Sequence, residues 1–176
     1  MNHINIEIKA KCFHPEKVEA FLLSKNARFI GLDHQKDTYF NVPKGRLKLR
    51  QGNIEKTLIY YERPDQEGPK QSDFSLSQIS DGTTTEQVLE KALGVKVVVD
   101  KYRKIFFIDN IKFHLDEVPE LGSFVEIEAG NKTDPSLTIE TLREQCDFYI
   151  KAFEIAESDL IHHSYSDMIL AKKVTF

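Results

Sequence analysis

Charged residues recur at every second position in several segments of the chain, and their sign changes from one segment to the next. The cationic and anionic members are Glu7, Lys9 and Lys11; Arg46, Lys48 and Arg50; Lys101 and Arg103, with Asp116 further on; and Glu126 and Glu128. Side chains two residues apart in a β-strand point to the same face of a sheet. Each segment therefore predicts a strand with one charged face, and the apolar residues between the charges form the other face.

Two interpretations of these charged faces are open. The first is the solvated side of an ordinary antiparallel sheet. The second, favoured by the recurrence in four strands, is a closed barrel whose lumen holds a polyanion with the cationic stripes and a divalent metal with the anionic ones. Arg and Lys bind phosphate oxygens through charge-assisted hydrogen bonds, and carboxylates suit Mg²⁺ or Mn²⁺. For Glu126 and Glu128, cross-strand pairing with Lys or Arg remains the alternative to a metal.

Length and charge limit the classes of function. A chain of 176 residues predicts one domain, residues 1–176. A net charge of -4 argues against a protein that binds a nucleic-acid polymer over a broad basic surface. Cations clustered inside an acidic protein indicate instead a small, enclosed anionic ligand.

The sequence also predicts a cytoplasmic protein without membrane contact. It shows no signal-like apolar run after a basic start, and no stretch approaches the roughly 18 apolar residues that a membrane span requires. Cys12 and Cys146 are too few and too far apart for a metal knuckle or a disulfide framework. We expect both to be reduced, packed thiols.

The hydrophobic period alternates between two and about 3.6, which predicts both strands and helices. Predicted strands cover residues 3–12, 37–40, 46–51, 56–63, 74–79, 97–108, 111–118 and 123–129. One predicted helix begins at His14-Pro15-Glu16. Three further helices are predicted over 83–93, which Gly94 ends, 134–156 and 158–171. The fold class is α+β: an eight-stranded antiparallel β-barrel with flanking and C-terminal helices.

An ordered set of short segments resembles the CYTH domain family, also called triphosphate tunnel metalloenzymes, and within it the class IV adenylyl cyclase-like branch. The segments are NIEIKA at 5–10, DTYF at 37–40, GRLKLR at 45–50, KYR at 101–103, HLDEV at 114–118, LGSF at 121–124, EIE at 126–128 and SYSD at 164–167. No single segment is very specific, but together they span nearly the whole chain in the family's order. The resemblance implies a tunnel that binds a triphosphate with Mg²⁺ or Mn²⁺, and it is compatible with a homodimer.

The resemblance and the residue chemistry give the same division of the candidate site. The triphosphate-binding candidates are Lys9, Lys11, Arg46, Lys48, Arg50, Arg63, Lys101 and Arg103. The metal-binding candidates are Glu7, Asp116, Glu126 and Glu128. We expect the catalytic residues to be Glu7, Lys9, Glu126 and Glu128. His114 shares a strand face with Lys112 and Asp116, which adds a candidate proton carrier in the lumen.

Two positions depart from the family's pattern. Asn5 stands where the N-terminal signature has its first Glu, and because an amide brings no charge, metal affinity should fall. Tyr61 stands where the family often has Lys. Arg63 lies two residues on and shares a strand face with Tyr61, so it is a candidate to restore that positive charge.

Three functions follow from the same predicted site. In a cyclase, the 3′-hydroxyl of ATP attacks the α-phosphorus, and cyclic AMP and pyrophosphate are formed. In a phosphohydrolase, water attacks the terminal phosphorus of inorganic triphosphate, thiamine triphosphate or a nucleotide. The third function is a triphosphate-binding module without useful turnover, and Asn5 motivates it. The segments at 114–124 and 164–167 look most like the cyclase-like branch, so the cyclase is our first expectation.

Overall fold

The computed structural model describes residues 3–62 and 73–174, and within these ranges the chain forms one curled antiparallel sheet with helices against it. The strands are β1 (Asn5–Lys11), β2 (Arg28–Phe40), β3 (Arg46–Gln51), β4 (Lys56–Glu62), β5 (Asp73–Gln78), β6 (Val95–Ile108), β7 (Ile111–Val118), β8 (Gly122–Gly130) and β9 (Leu160–Ile161). The helices are α1 (Pro15–Ser24), α2 (Gly82–Leu93), α3 (Ile139–Ala152) and α4 (Tyr165–Val174), with one 3₁₀ turn at Glu157–Asp159. The predicted α+β class is confirmed.

The strands pair in the order β5-β4-β3-β2-β6-β7-β8-β1-β9, and every pairing between these described strands is antiparallel. Across residues 3–62 and 73–174, the backbone ladder does not join β5 to β9, so the sheet has nine strands and two edges rather than eight in a closed ring. It still curls enough that residues of β1, β4 and β5 line the same interior cavity. The alternation predicted from the charges therefore separates an interior polar face from an exterior apolar face.

The exterior apolar face is covered mainly by α1 and α3. Phe106 and Phe113 on the sheet, Leu22 on α1 and Leu142 on α3 all belong to one fully buried cluster. A second cluster fills one end of the curled sheet, where Phe124 packs with α4 residues Tyr165 and Ile169. The helices thus cover the apolar face of the sheet and close part of its interior, which leaves a polar cavity in the remainder.

The predicted starts of β2 and of α3 were wrong for identifiable reasons. Strand β2 begins at Arg28 rather than at residue 37, because its polar residues Asp33 and Gln35 are fully buried and hide the usual apolar signal. Helix α3 begins only after Thr138, whose hydroxyl accepts a hydrogen bond from the Thr141 N–H at 3.2 Å.

The predicted helix over residues 158–171 is divided into the 3₁₀ turn, β9 and α4. Helix α4 begins beside Ser164, whose hydroxyl accepts the Asp167 N–H at 3.1 Å. In the described parts of the chain, no helix has the length and apolarity needed to cross a membrane.

Replacing Phe113 tests the packing of α3 on the sheet. Its ring is fully buried, and its centroid lies 4.7 Å from that of Tyr149 and 5.9 Å from that of Phe153. We expect Phe113→Ala to lower the free energy of unfolding by about 3–5 kcal/mol, because it leaves a cavity in this cluster. Phe148→Ala is the matched control: its side chain is 58% exposed, and we expect a change within about 1 kcal/mol. Urea denaturation measures both values, and equal losses would contradict the described packing.

Candidate functional site

A cavity of about 480 Å³ lies inside the curled sheet and is lined by side chains from strands across its width. The predicted site residues in its lining are Glu7, Lys9, Lys48, Arg50, Lys101, Arg103, Glu126 and Glu128. The sheet brings these residues together because alternate residues of each strand face the interior. Their roles in binding and catalysis remain predictions.

Asp37 is the centre of a cationic cluster formed by β3 and β6. Its carboxylate accepts hydrogen bonds from the Lys101 Nζ at 2.8 Å and from the Arg50 Nε and Nη2 at 2.9 and 2.8 Å. The Lys48 Nζ lies 3.6 Å from the same carboxylate. One buried anion thus holds three cations at the cavity wall.

The cations and Asp37 change one another's protonation. Burial alone would raise the pKa of Asp37, but the charges of Lys101, Arg50 and Lys48 outweigh burial and hold that pKa well below its usual range. Burial lowers the pKa of Lys101 to about 7, against the attraction of Asp37. Burial, followed by the charge of Arg50, also lowers the pKa of Lys48. Arg50 also pairs with Glu55, so the three cations face two carboxylates. With Lys101 protonated, one positive charge is left over, which favours a further anion in the cavity.

Arg103 is fixed by a second buried carboxylate. Its Nε and Nη2 each donate to Asp116 at 2.7 Å, and the Tyr165 hydroxyl donates to the same carboxylate at 2.7 Å. The Lys9 Nζ lies 4.0 Å from the centroid of the Tyr165 ring. The start of α4 therefore forms part of the cavity wall and orients two of its cations.

Glu126 is held by cations and by His114. Its carboxylate lies 3.3 Å from the Lys9 Nζ and 3.5 Å from the Arg103 Nη2. The His114 Nδ1 lies 3.0 Å from Glu126, and since a carboxylate only accepts, this nitrogen carries the hydrogen. Burial would raise the pKa of Glu126, but Lys9 and Arg103 outweigh it and hold the pKa well below its usual range. The cross-strand pairing considered for Glu126 is present.

Glu7 and Glu128 lie opposite one another on β1 and β8, two residues along these strands from Lys9 and Glu126. They are direct partners in the β1–β8 ladder, and both line the cavity. Like charges directly opposite one another are destabilising. Asn5 donates from its Nδ2 to the Glu128 Oε1 at 2.8 Å, so in this conformation the amide orients the carboxylate rather than presenting its oxygen. This pair is the part of the lining whose chemistry best suits a cation.

The donor set fits a metal shared with a ligand. In residues 3–62 and 73–174, no group of three or more His, Cys, Asp or Glu side chains is arranged to hold a metal ion alone. Mg²⁺ is usually held by one or two carboxylates together with waters and substrate phosphates, not by a cage made entirely of protein. Glu7 and Glu128 satisfy that pattern.

Four predicted residues are placed elsewhere or cannot be placed. Lys11 is exposed and borders a separate pocket beside α1 and the end of α3. Arg46 donates to the Ser164 hydroxyl at 2.9 Å and to Asp167 at 3.0 Å, outside the cavity lining. Asp116 accepts hydrogen bonds from Arg103 and is not itself in the cavity lining. Arg63 lies outside the described residues.

Sequence reasoning missed several members of the site. Asp37 lies in a segment used for the resemblance, but its role as the anion among the cations needs the positions of β3 and β6. Lys112 shares a strand face with His114, so its place in the lining could have been inferred from alternation. Glu55 lies in the turn between β3 and β4, where no strand period marks a face. All three line the cavity.

The sequence and the fold of this chain are similar to those of known proteins. The CYTH domain model matches residues 3–165. A protein of Methanocaldococcus jannaschii named "Putative adenylate cyclase" is 28% identical over an alignment of 182 positions, which covers 94% of this chain and 98% of that protein.

Two solved structures are similar in fold. A protein from Pyrococcus horikoshii OT3 has a TM-score of 0.78 at 22% identity, covering 93% of this chain and 98% of the other. A Hippeastrum protein, called a "putative adenylyl cyclase" with a dominant triphosphatase activity, has a TM-score of 0.63 at 15% identity, covering 99% and 97%. Since the CYTH match includes the strands that build the charged cavity and ends at Tyr165 in its wall, the chain belongs to the CYTH domain family.

Proposed function

We propose that this protein is a divalent-metal-dependent enzyme that binds a triphosphate in the cavity and acts as an adenylyl cyclase, converting ATP to cyclic AMP and pyrophosphate. The observation that carries the proposal is the convergence of Lys9, Lys48, Arg50, Lys101 and Arg103 on one cavity. The name of the Methanocaldococcus jannaschii relative supports the choice of reaction.

The cations act on the phosphate chain. Lys48 and Lys101 donate to phosphate oxygens as compact charges, while Arg50 and Arg103 bring planar guanidinium groups whose orientation Asp37 and Asp116 already fix. Because these side chains are held before a ligand arrives, little reorganisation is needed as charge develops on the leaving pyrophosphate.

The metal belongs at Glu7 and Glu128, and Glu126 contributes a fixed negative charge next to Lys9 and His114. A bound Mg²⁺ or Mn²⁺ would supply charge neutralisation and Lewis acidity at the phosphates. His114 is buried, and burial followed by the charge of Arg103 lowers its pKa, so its ring is neutral at pH 7. Its Nδ1 donates to Glu126, which keeps that carboxylate oriented without adding a net charge.

Hydrolysis is the second candidate reaction. The dominant triphosphatase activity described for the Hippeastrum protein favours it, because that protein has the same fold. Binding the triphosphate and placing the metal would require the same residues, and the difference is whether water or a ribose hydroxyl attacks.

Product analysis distinguishes the two reactions. The purified protein is incubated with Mg²⁺ or Mn²⁺ and, in separate reactions, with ATP, inorganic triphosphate and thiamine triphosphate. Cyclic AMP and pyrophosphate from ATP are the expected products. Orthophosphate release would contradict the cyclase proposal and identify a triphosphatase. Tight triphosphate binding without any product would leave a binding module and contradict both enzymatic proposals.

Lys48→Gln tests the cationic wall. Lys48 is the cation of the Asp37 cluster with the longest contact, 3.6 Å, so its loss disturbs the fold least. We expect the affinity for inorganic triphosphate to fall at least about tenfold, because a sheltered charge is removed from the binding site. Lys36→Gln, which removes a lysine paired with Glu86 outside the lining, is the matched control. Isothermal titration calorimetry measures both, and equal affinities would exclude Lys48 from the site.

Asn5→Glu tests the metal position. The change places another carboxylate beside Glu128, so we expect the Mg²⁺ concentration for half-maximal turnover to fall about tenfold, because Mg²⁺ is attracted by added ligand charge. Asn5→Gln keeps a neutral amide and serves as the control. If both variants respond to Mg²⁺ as the wild type does, position 5 takes no part in metal binding.

A further inference from the structure

The turn between β3 and β4 brings a carboxylate into a cavity whose wall is otherwise rich in cations. This turn, residues 52–55, is anchored to β2 through Asp33, which is fully buried. The Ile54 and Glu55 N–H groups donate to the two oxygens of Asp33 at 2.9 and 3.0 Å. The position of Glu55 is therefore fixed by its backbone.

Two further contacts keep the turn against β2. Asn53 accepts the His34 N–H at 2.7 Å and donates to the Leu32 carbonyl at 3.0 Å. Gly52 leaves no room for a side chain, since a Cβ there would lie 2.5 Å from an oxygen of Asp33. The carboxylate of Glu55 thus stands on a rigid support.

Glu55 bridges two cations of the cavity. Its Oε2 lies 2.7 Å from the Arg50 Nη1, and its Oε1 lies 3.1 Å from the Lys112 Nζ. The Gln35 Nε2 donates to Oε2 at 3.2 Å. Burial alone would raise the pKa of Glu55, but the charges of Lys112 and Arg50 outweigh it and lower the pKa to about 2. Glu55 is therefore ionised throughout the physiological range.

An arginine and a lysine that converge on two oxygens of one anion are also the groups that bind a phosphate. Here the anion belongs to the protein. Lys112 is the β7 partner of Glu128 in the ladder, so this bridge lies toward the Glu7–Glu128 end of the cavity. Lys48, Lys101 and Arg103 form no ion pair with Glu55. The two lysines pair with Asp37, and Arg103 pairs with Asp116 and Glu126.

We propose that Lys112 and the Nη1 group of Arg50, whose Nε and Nη2 face Asp37, form an additional phosphate subsite that Glu55 occupies, and that Glu55 thereby limits the length of the polyphosphate chain that the cavity accepts. The inference rests on the proposed function, namely that the cavity binds a triphosphate. A chain with one more phosphate has to place that group against a fixed carboxylate or displace it, and either costs binding free energy.

Glu55→Gln tests the proposal through selectivity. Calorimetry at one fixed Mg²⁺ concentration gives the affinities of inorganic pyrophosphate, triphosphate and tetraphosphate for the wild type and the variant. We expect the ratio of tetraphosphate to triphosphate affinity to rise at least about tenfold, because an anion is removed from the additional subsite. Glu86→Gln, which removes a carboxylate paired with Lys36 outside the lining, should leave the ratio unchanged.

A double-mutant cycle identifies the cation that the carboxylate masks. Lys112→Gln should cost more tetraphosphate affinity in the Glu55→Gln background than in the wild type, because only there is Lys112 available to the added phosphate. If Glu55→Gln does not fold, Glu55→Asp withdraws the carboxylate by one methylene and should shift the ratio in the same direction.

The outcomes separate the two proposals. An unchanged ratio in a folded Glu55 variant, with triphosphate still bound by the wild type, overturns the length limit and leaves the proposed function intact. A wild-type protein that binds none of the three compounds overturns the proposed function, and the length limit with it.

Discussion

The central constraint on this structure is the free-energy cost of burying several positively charged side chains close together. Lys101 and Arg103 are almost fully buried, and buried charges are tolerated only when they are paired and hydrogen-bonded. Asp37 on β2 and Asp116 on β7 meet that requirement from the two strands that flank β6. The two carboxylates allow the sheet to keep a polar interior and still fold.

The apolar half of the same strands supplies the stability that the polar half does not. Phe106 and Phe113 point away from the cavity into the cluster covered by α1 and α3. Burial of apolar surface there offsets the desolvation of charge on the other face. The period of two thus serves packing and ligand chemistry at once, and a slip of one residue in register would exchange the two faces.

The charged strands and their faces could be predicted from the sequence, because alternation determines the face of a strand. It does not determine where along the cavity a residue lies, which explains why Lys11 and Arg46, each at one end of its strand, lie outside the lining. Glu55 lies in a turn, where side-chain direction depends on the contacts with Asp33 and not on a period. The paired role of Asp37 likewise depends on β6, because Lys101 lies 64 residues further along the chain.

The depth of the cationic cluster also determines how it responds to ionic strength. Lys44 and Glu62 form an exposed pair, and salt screens such pairs over a Debye length of about 8 Å at physiological ionic strength. Lys101 and Asp37, by contrast, are 2% and 1% exposed at their side chains, so mobile ions have little access to them. The Lys101–Asp37 pair inside the sheet therefore persists in salt concentrations that weaken exposed pairs such as Lys44–Glu62.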